Sequence, residues 1–280
     1  TEDGEQLLPS VVGLKQDGTL VTGTVARNQL AAFPDRTIAS IKRKMGTMDP
    51  VKLGDQSFTP PEISAMILRR LRDRASRVLG QPVTRAVITV PAFFDENQRQ
   101  ATREAGELAG LKVERIINEP TAATLVYHAG TQDRKHIVVY DFGGGTFDVS
   151  IVRMEAGVIE VLSSKGDTQL GGDDLDALLM NYVADKFQKA HGIDLRADLS
   201  SKYRLLLSCE QAKQKLSTQE TVEIVEEFIA EKDGRPLNLQ ASLSRQKYEE
   251  MIMPLVDRTI RCVDEALRDA KMTAAQIDDL

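Results

Sequence analysis

The sequence has few of the residues that mark secreted, metal-binding or membrane proteins. It has two cysteines, no tryptophan and three histidines in 280 residues. The cysteines, Cys209 and Cys262, lack the spacing of a metal site. So few thiols are typical of a reducing compartment, and we expect a cytoplasmic protein. No apolar run approaches the roughly 20 residues of a membrane span, and no signal peptide precedes the first segment, so neither a membrane nor a secreted protein is expected.

An excess of basic charge is also missing. The net charge of −6 argues against a nucleic-acid binder, whose binding surface would be basic. A hydrophobic content of 41% with only 5% aromatic residues fits an α/β protein. The length favours two compact lobes over one domain. The three histidines, His128, His136 and His191, are scattered, and we interpret all three as structural.

One glycine-rich stretch stands out at residues 138–152, V-V-Y-D-F-G-G-G-T-F-D-V-S-I-V. Two apolar runs flank the glycines 143–145, which predicts a strand, a tight turn and a second strand. Glycine permits close approach of the backbone to a ligand, and successive N–H groups in a turn can bind phosphate. The stretch therefore predicts a nucleotide site, although an ordinary glycine-rich hairpin explains the same residues.

Acidic and hydroxyl side chains border this turn. Asp141 ends the first strand and can face a hydrated metal ion, while Thr146 and Asp148 follow the glycines. The simpler interpretation is that these acids are solvated. A protein-kinase interpretation of Asp141-Phe142-Gly143 fails, because no H-R-D-type loop precedes it.

The remaining elements alternate between strand and helix patterns. A hairpin is predicted at residues 11–24, and strands and helices then alternate up to residue 142, which is typical of an α/β domain. The predicted elements are a helix-like part at 37–44, a helix from Pro60 to Gly80, a buried-type strand at 85–90, a helix from Asp95 to Ala109, a strand at 113–117, a helix through Tyr127, strands at 136–142 and 158–164, a long helix after Gly172, a helix at 200–216, strands at 220–229 and 237–243, and a helical pair at 244–270 with a break or kink at Pro254.

Polar residues recur at two further places. Glu210, Lys213 and Ser217 share one face of the predicted helix at 200–216, and such a face can bind ribose and base edges. A solvated pair of charges explains this spacing equally well, and periodicity alone favours it. Likewise, a solvated face is the simpler interpretation of the basic run 42–44.

Five motifs in unbroken order resemble one family, the ATPase domain of the seventy-kilodalton heat-shock chaperones of the DnaK type. The similarity covers residues 9–280. It implies an α/β, actin-like (ribonuclease H-like) ATPase fold with two lobes around a nucleotide cleft. The motifs are V-I-T-V-P-A-F-F (87–94), R-I-I-N-E-P-T-A-A (115–123), V-Y-D-F-G-G-G-T-F-D (139–148), G-D-T-Q-L-G-G-D-D-L-D (166–176) and C-E-Q-A-K-Q-K-L-S (209–217).

The resemblance implies the limits of the lobes. Lobe I would span residues 1–134, with an outer subdomain at about 9–60 and a base subdomain at about 61–134. Lobe II would span residues 135–280, with a base subdomain at about 135–172 and 251–280 and an outer subdomain at about 173–250.

The resemblance also implies catalytic and metal-binding roles. Lys42 would position the attacking water and the γ-phosphate of ATP. Glu119 would help coordinate that water and a hydrated Mg²⁺, which Asp141 would hold largely through water, as this cation prefers. Asp148 would contribute to the same ion site, where K⁺ is a further candidate.

Further residues would contact ATP or ADP, or relay the nucleotide state. Pro91 and Arg99 match the relay to a substrate-binding domain, although Pro91 also ends a strand and Arg99 also fits a solvated helix position. The residues implied to contact nucleotide are Gly143, Gly144, Gly145 and Thr146 at the phosphates, Gly171 and Gly172 from the second lobe, and Glu210, Lys213, Gln214 and Ser217 at adenosine.

The sequence departs from the family pattern in several places. Gln214 stands where many relatives carry an arginine, and Phe142 replaces a leucine. The D-L-G-T-T loop expected before Thr1 and the G-G-x-x-R-x-P loop expected after Leu280 are absent, so a chain trimmed at both ends is expected.

The resemblance implies partners that act through other domains. They are unfolded client proteins, bound by a substrate-binding domain that this sequence lacks, a J-domain co-chaperone and a nucleotide-exchange factor. No nucleic acid or membrane is expected as a partner. Two alternatives are open: an ATPase-inactive regulatory module, motivated by the absent first loop, and a sugar or glycerol kinase of the same fold, for which no sugar-binding constellation is visible.

Overall fold

The computed structural model describes residues 7–127 and 134–280. Within these residues helices and strands alternate, as the sequence predicts. The helices are α1 (Thr24–Gln29), α2 (Pro60–Leu79), α3 (Glu96–Leu108), α4 (Glu119–Tyr127), α5 (Gly172–His191), α6 (Leu199–Leu216) and α7 (Arg245–Asp269). The strands are β1 (Val11–Leu14), β2 (Leu20–Thr22), β3 (Thr37–Ala39), β4 (Val51–Leu53), β5 (Gln56–Phe58), β6 (Arg85–Val90), β7 (Lys112–Asn118), β8 (Lys135–Phe142), β9 (Phe147–Glu155), β10 (Val158–Asp167), β11 (Thr221–Lys232) and β12 (Arg235–Ser244).

The N-terminal half, residues 7–127, begins with a small antiparallel sheet. Strand β1 lies between β2 and β3, so the predicted hairpin is confirmed. Val12 of β1 packs against Ile63 of α2 in one core. Helix α2 begins where Thr59 and Glu62 cap each other reciprocally, which satisfies N–H groups that the first helical turn leaves free.

The predicted helix-like part at 37–44 is wrong over its first half. Residues 37–39 form strand β3, in which Ile38 pairs with Val12. Thr37 and Ile38 are β-branched and favour a strand. Ser40 then adopts a left-handed backbone with φ 54°, and only Ile41–Lys44 form a short 3₁₀ turn. This turn sends the basic run toward the C-terminal half of the chain.

A β–α–β unit follows, with α3 as the crossover between parallel strands β6 and β7. Asp95 caps α3 by accepting from Gln98 N–H, as predicted. The prediction that β6 is buried is wrong, because Val87 is 54% exposed. Among the described residues β6 pairs only with β7, so much of its surface is uncovered.

The C-terminal half, residues 134–280, contains an antiparallel sheet in the order β10-β9-β8. Strand β9 lies at its centre, where Phe147, Val149 and Ile151 are fully buried against α7. The predicted helical pair at 244–270 is instead one continuous helix with Pro254 inside it. Packing of α7 against this sheet therefore holds together a helix that a single proline would weaken in isolation.

Helices α5 and α6 and the β11–β12 hairpin share a separate core. The hairpin turns at Asp233 and Gly234, whose φ angles are 52° and 73°, as a two-residue turn of this kind requires. Helix α5 begins at Gly172, immediately beside the glycine turn between β8 and β9. This arrangement brings the start of α5 to the predicted nucleotide site.

Candidate functional site

The turn at residues 143–146, here called the phosphate turn, joins β8 to β9 as predicted. It is closed by a hydrogen bond from Gly143 N–H to the Thr146 carbonyl, at 2.9 Å. Among the described residues, the N–H groups of Gly144, Gly145 and Thr146 donate no hydrogen bond. Three consecutive free donors fit a polyanion such as a phosphate chain.

A second glycine turn, at Gly171 and Gly172, packs directly on the phosphate turn. Gly172 N–H donates to the Gly143 carbonyl at 2.9 Å, and Asp173 N–H donates to the Gly144 carbonyl at 2.8 Å. A side chain on Gly171 would overlap the Gly144 carbonyl and lie 2.8 Å from that of Gly143. Glycine is therefore required here for close approach, and its φ of −178° demands no left-handed freedom.

An ion pair between Lys42 and Glu119 lies beside the phosphate turn. The Lys42 ammonium is 2.8 Å and 3.2 Å from the two Glu119 carboxylate oxygens. Lys42 is 43% exposed and Glu119 21%, so the pair lies at an open surface rather than in a core. The solvated interpretation of the basic run holds for Lys44, which is exposed, whereas Lys42 and Arg43 each pair with an acid.

Asp148 is the most perturbed acid of the site. It is 3% exposed and accepts a hydrogen bond from Phe93 N–H at 3.1 Å. Burial raises its pKa from 3.8 to about 6, the Phe93 bond lowers it, and the nearby charges of Glu119 and Asp141 raise it further. The Asp148 carboxyl group therefore keeps its proton to a higher pH than an exposed aspartate does.

The fit of a metal ion depends on these carboxylates. Among the residues described, no three histidine, cysteine, aspartate or glutamate side chains lie at direct coordination distance. The charges of Asp141 and Glu119 nevertheless lie close enough to raise the pKa of Asp148. The three carboxylates suit a hydrated Mg²⁺ held through its water shell better than a bare ion. The water-mediated metal site remains a prediction.

The raised pKa of Asp148 gives a testable pH dependence in the absence of divalent cations. The pKa of Asp148 in the folded state lies above its ordinary value of 3.8. The contribution of its neutral carboxyl group to the stability of the fold is therefore fully present below about pH 4, and it is lost as the pH rises through about 6. Asp148→Asn keeps an oxygen for Phe93 N–H and has no charge to bury. In the presence of a chelator, we expect Asp148→Asn to melt roughly 5 °C above the wild type at pH 8. At pH 4 we expect the two proteins to melt at the same temperature.

Thermal unfolding between pH 4 and pH 8 measures this difference. Asp264→Asn, at an exposed position of α7, is the matched control and should follow the wild type throughout. A constant offset between Asp148→Asn and the wild type across that range would contradict the assignment.

Helix α6 carries the residues predicted to contact adenosine. Glu210 pairs with Arg27 at 2.6 Å across the two halves of the chain, and Lys213 pairs with Asp176 of α5 at 2.8 Å. Gln214 lies 3.5 Å from Glu210, and exposed Ser217 follows the last residue of the helix. The helical face is therefore formed as predicted, and two of its charges have partners that sequence reasoning missed.

Arg43 is a further residue that the sequence prediction missed. Its Nε donates to the Gly145 carbonyl at 2.7 Å, and its guanidinium forms a two-point ion pair with Asp174. Ser40 donates to the neighbouring Asp173. These contacts connect the N-terminal half to the phosphate turn and to the start of α5. Adjacency to Lys42 was the only sequence signal for Arg43.

Pro91 and Arg99, the predicted relay residues, frame one loop. The Arg99 guanidinium donates to the carbonyls of Phe94 and Ala92, both at 3.1 Å, so its interpretation as a solvated residue is wrong. Pro91 is buried. The same loop reaches the other half of the chain through Phe93 N–H and Asp148. The relay role remains a prediction.

A cavity of about 690 Å³ borders this site. Glu119 and Asp141 lie on its wall, together with apolar residues of β8 and with Leu280. Asp279 forms a parallel bridge to Ile137 at the cavity edge. Two acids at the edge of an apolar cavity suit a ligand with both polar and apolar parts. The phosphate turn itself does not line this cavity.

Among the described residues, the histidines and cysteines take no part in this arrangement. The His191 ring stacks on Phe187, with centroids 4.4 Å apart, and His136 lies in β8. His128 lies outside the described residues. Cys209 is buried and Cys262 half-buried.

Over the described residues, no helix is long and apolar enough to cross a membrane.

Comparison with known proteins identifies the family. The family model described as Hsp70 protein matches residues 1–51 and 47–280. The chain is 46% identical over 282 aligned positions to the chaperone protein DnaK of Thermotoga petrophila, and equally to that of Thermotoga sp. strain RQ2. Each alignment covers 99% of this chain and 47% of the relative. The chain thus spans about half the length of these curated relatives.

The family match also confirms the predicted fold class. The mixed helices and small sheets agree with the actin-like ATPase fold of this family. Because the Hsp70 family model matches the whole chain, neither the sugar-kinase alternative nor an unrelated hairpin protein is favoured. The chain therefore belongs to the Hsp70 family.

Proposed function

We propose that this chain is the ATP-binding and ATP-hydrolysing part of a DnaK-type chaperone. Hydrolysis of ATP to ADP and phosphate would control the binding and release of unfolded client peptides elsewhere in the protein. The observation that carries the proposal is the phosphate turn, with three free N–H groups, next to the Lys42–Glu119 pair. An ATPase-inactive module is not favoured, because the phosphate turn, Lys42 and Glu119 are all present.

The chain's own side chains suggest how hydrolysis proceeds. The N–H groups of the phosphate turn would bind the phosphate oxygens, and the Lys42 ammonium would offset the negative charge that develops on them in the transition state. Glu119 would hold Lys42 in place and orient the attacking water. Mg²⁺, when bound near Asp141, supplies further charge neutralisation. K⁺ near Asp148 is part of the same proposal.

The wider context belongs to the proposal as well. The lobes would meet near residue 134, with outer subdomains at about 9–60 and 173–250, and the Pro91–Arg99 loop would report the nucleotide state to a substrate-binding domain. A J-domain co-chaperone and a nucleotide-exchange factor would act on the whole protein in the cytoplasm. Hinge motion between the lobes would be the switch.

Calorimetric titration with ATP and Mg²⁺ tests the proposal directly. Tight binding followed by slow release of phosphate is the expected result, and tripolyphosphate with Mg²⁺ is the control for phosphate binding alone. Absence of binding heat would contradict the proposed function.

Arg43→Ala should speed the release of bound ADP by about tenfold, since a partly buried charged pair of this kind contributes on the order of 1–2 kcal/mol. The variant loses the contacts to the Gly145 carbonyl and to Asp174, which connect the two halves at the phosphate turn. Stopped-flow chase of a fluorescent ADP analogue measures the rate.

Arg153→Ala is the matched control for this prediction. It removes an ion pair with Glu160 inside the β9–β10 hairpin and should leave the rate of release unchanged. Equal rates in Arg43→Ala and the wild type would refute the role of Arg43.

A further inference from the structure

Asp176 is a buried acid that none of the roles described so far explains. It lies in the second turn of α5 and is 7% exposed. One carboxylate oxygen accepts from Lys213 at 2.8 Å. The other oxygen is buried and, among the described residues, has no hydrogen-bond partner. A buried oxygen without a partner destabilises a fold, so stability alone does not account for an aspartate here.

The partner of Asp176 lies at a junction of the site. The Lys213 ammonium is also 3.3 Å from the Gly172 carbonyl, and Gly172 N–H bonds to the Gly143 carbonyl. One ammonium thus connects α6 to the start of α5 and, through Gly172, to the phosphate turn. The position of the Lys213 ammonium therefore sets where its positive charge would contact a ligand that spans α6 and the phosphate turn.

The surroundings of Asp176 favour this single contact. Burial raises the pKa of Asp176, the hydrogen bond from Lys213 lowers it, and the charges of Glu210 and Asp173 raise it. Lys213 is therefore the contact that offsets the cost of burying the carboxylate. In return, the carboxylate holds a flexible lysine that would otherwise lose considerable rotamer freedom on binding a ligand.

We propose that Asp176 is a positioning residue that holds the Lys213 ammonium in the geometry required for binding the nucleoside part of the nucleotide. The inference rests on the proposed ATP-binding function. Asp176 does not itself touch the ligand and acts only through Lys213. A purely structural Asp176 would instead stabilise the packing of α5 on α6, with no dependence on Lys213.

A double-mutant cycle separates these possibilities. ADP affinity is measured by calorimetry in Mg²⁺ for the full-length wild type, Asp176→Asn, Lys213→Ala and the double variant. We expect Asp176→Asn to weaken ADP binding about tenfold, and the double variant to bind no more weakly than Lys213→Ala, since the two residues act as one unit. In ATP turnover, Asp176→Asn should raise KM while leaving kcat unchanged.

The control is Asp185→Asn, on the same helix. Asp185 pairs with Arg196 at 2.8 Å and should change neither ADP affinity nor KM. Wild-type affinity in Asp176→Asn, or additive losses in the double variant, would overturn the inference while the proposed function stands. A wild type that does not bind ADP would overturn both.

Discussion

Lys42→Ala should abolish ATP turnover and leave ATP binding largely intact. The Lys42 ammonium pairs with Glu119 beside the phosphate turn, where it would stabilise charge that exists mainly in the transition state. Removing such a preorganised group costs about a thousandfold in rate. The ground-state contacts of the phosphate turn are untouched, so affinity should change little. Single-turnover hydrolysis and calorimetry measure the two quantities separately.

The control for Lys42 lies two residues further along the same basic run. Lys44 is exposed, and Lys44→Ala should hydrolyse ATP at the wild-type rate. Single-turnover hydrolysis unchanged in Lys42→Ala would refute its catalytic role. A parallel loss of binding and turnover would assign Lys42 to ground-state binding instead.

Gly171→Val should weaken nucleotide binding by about a hundredfold, because overpacking of this severity costs about 3 kcal/mol. Any Cβ at this position overlaps the Gly144 carbonyl, which is backbone and cannot rotate away. The second glycine turn must then separate from the phosphate turn and break the bonds from Gly172 and Asp173. Calorimetry with ADP and Mg²⁺ measures the loss.

The adjacent Gly172 provides the contrast. A Cβ there would lie 3.4 Å from the Lys213 ammonium, an ordinary van der Waals distance at which no atom has to move. Gly172→Ala should therefore cost much less affinity than Gly171→Val. If both variants lost affinity equally, the close approach at Gly171 would not be the reason that glycine is required.

Local pattern and family resemblance together predicted most of the fold. The phosphate turn was predicted correctly because apolar, strand-like runs flank the glycine triplet on both sides, and a glycine triplet between two strands forms a turn. The capped start of α3 at Asp95 followed from a local hydrogen-bonding signal. Strand β3 was missed because three residues are too few for a period, and its strand pairing with Val12 is a long-range contact.

The site was predicted less completely than the fold. Lys42 and Glu119 were predicted through the family resemblance, and the structure places them in contact. Arg27, Arg43 and Asp176 were missed, because each is defined by a partner more than 35 residues away. Pro254 was expected to break or kink a helical pair, but packing of α7 on the sheet keeps one continuous helix across it.

Two ion pairs between described residues join the halves of the chain, Arg27 with Glu210 and Arg43 with Asp174, and their strength depends on the surrounding electrolyte. Charges at partly solvated positions attract each other less as dissolved salt shortens the screening distance, which is about 8 Å at physiological ionic strength. The attraction between the two halves is therefore set partly by the ions in the medium, and not by the backbone alone.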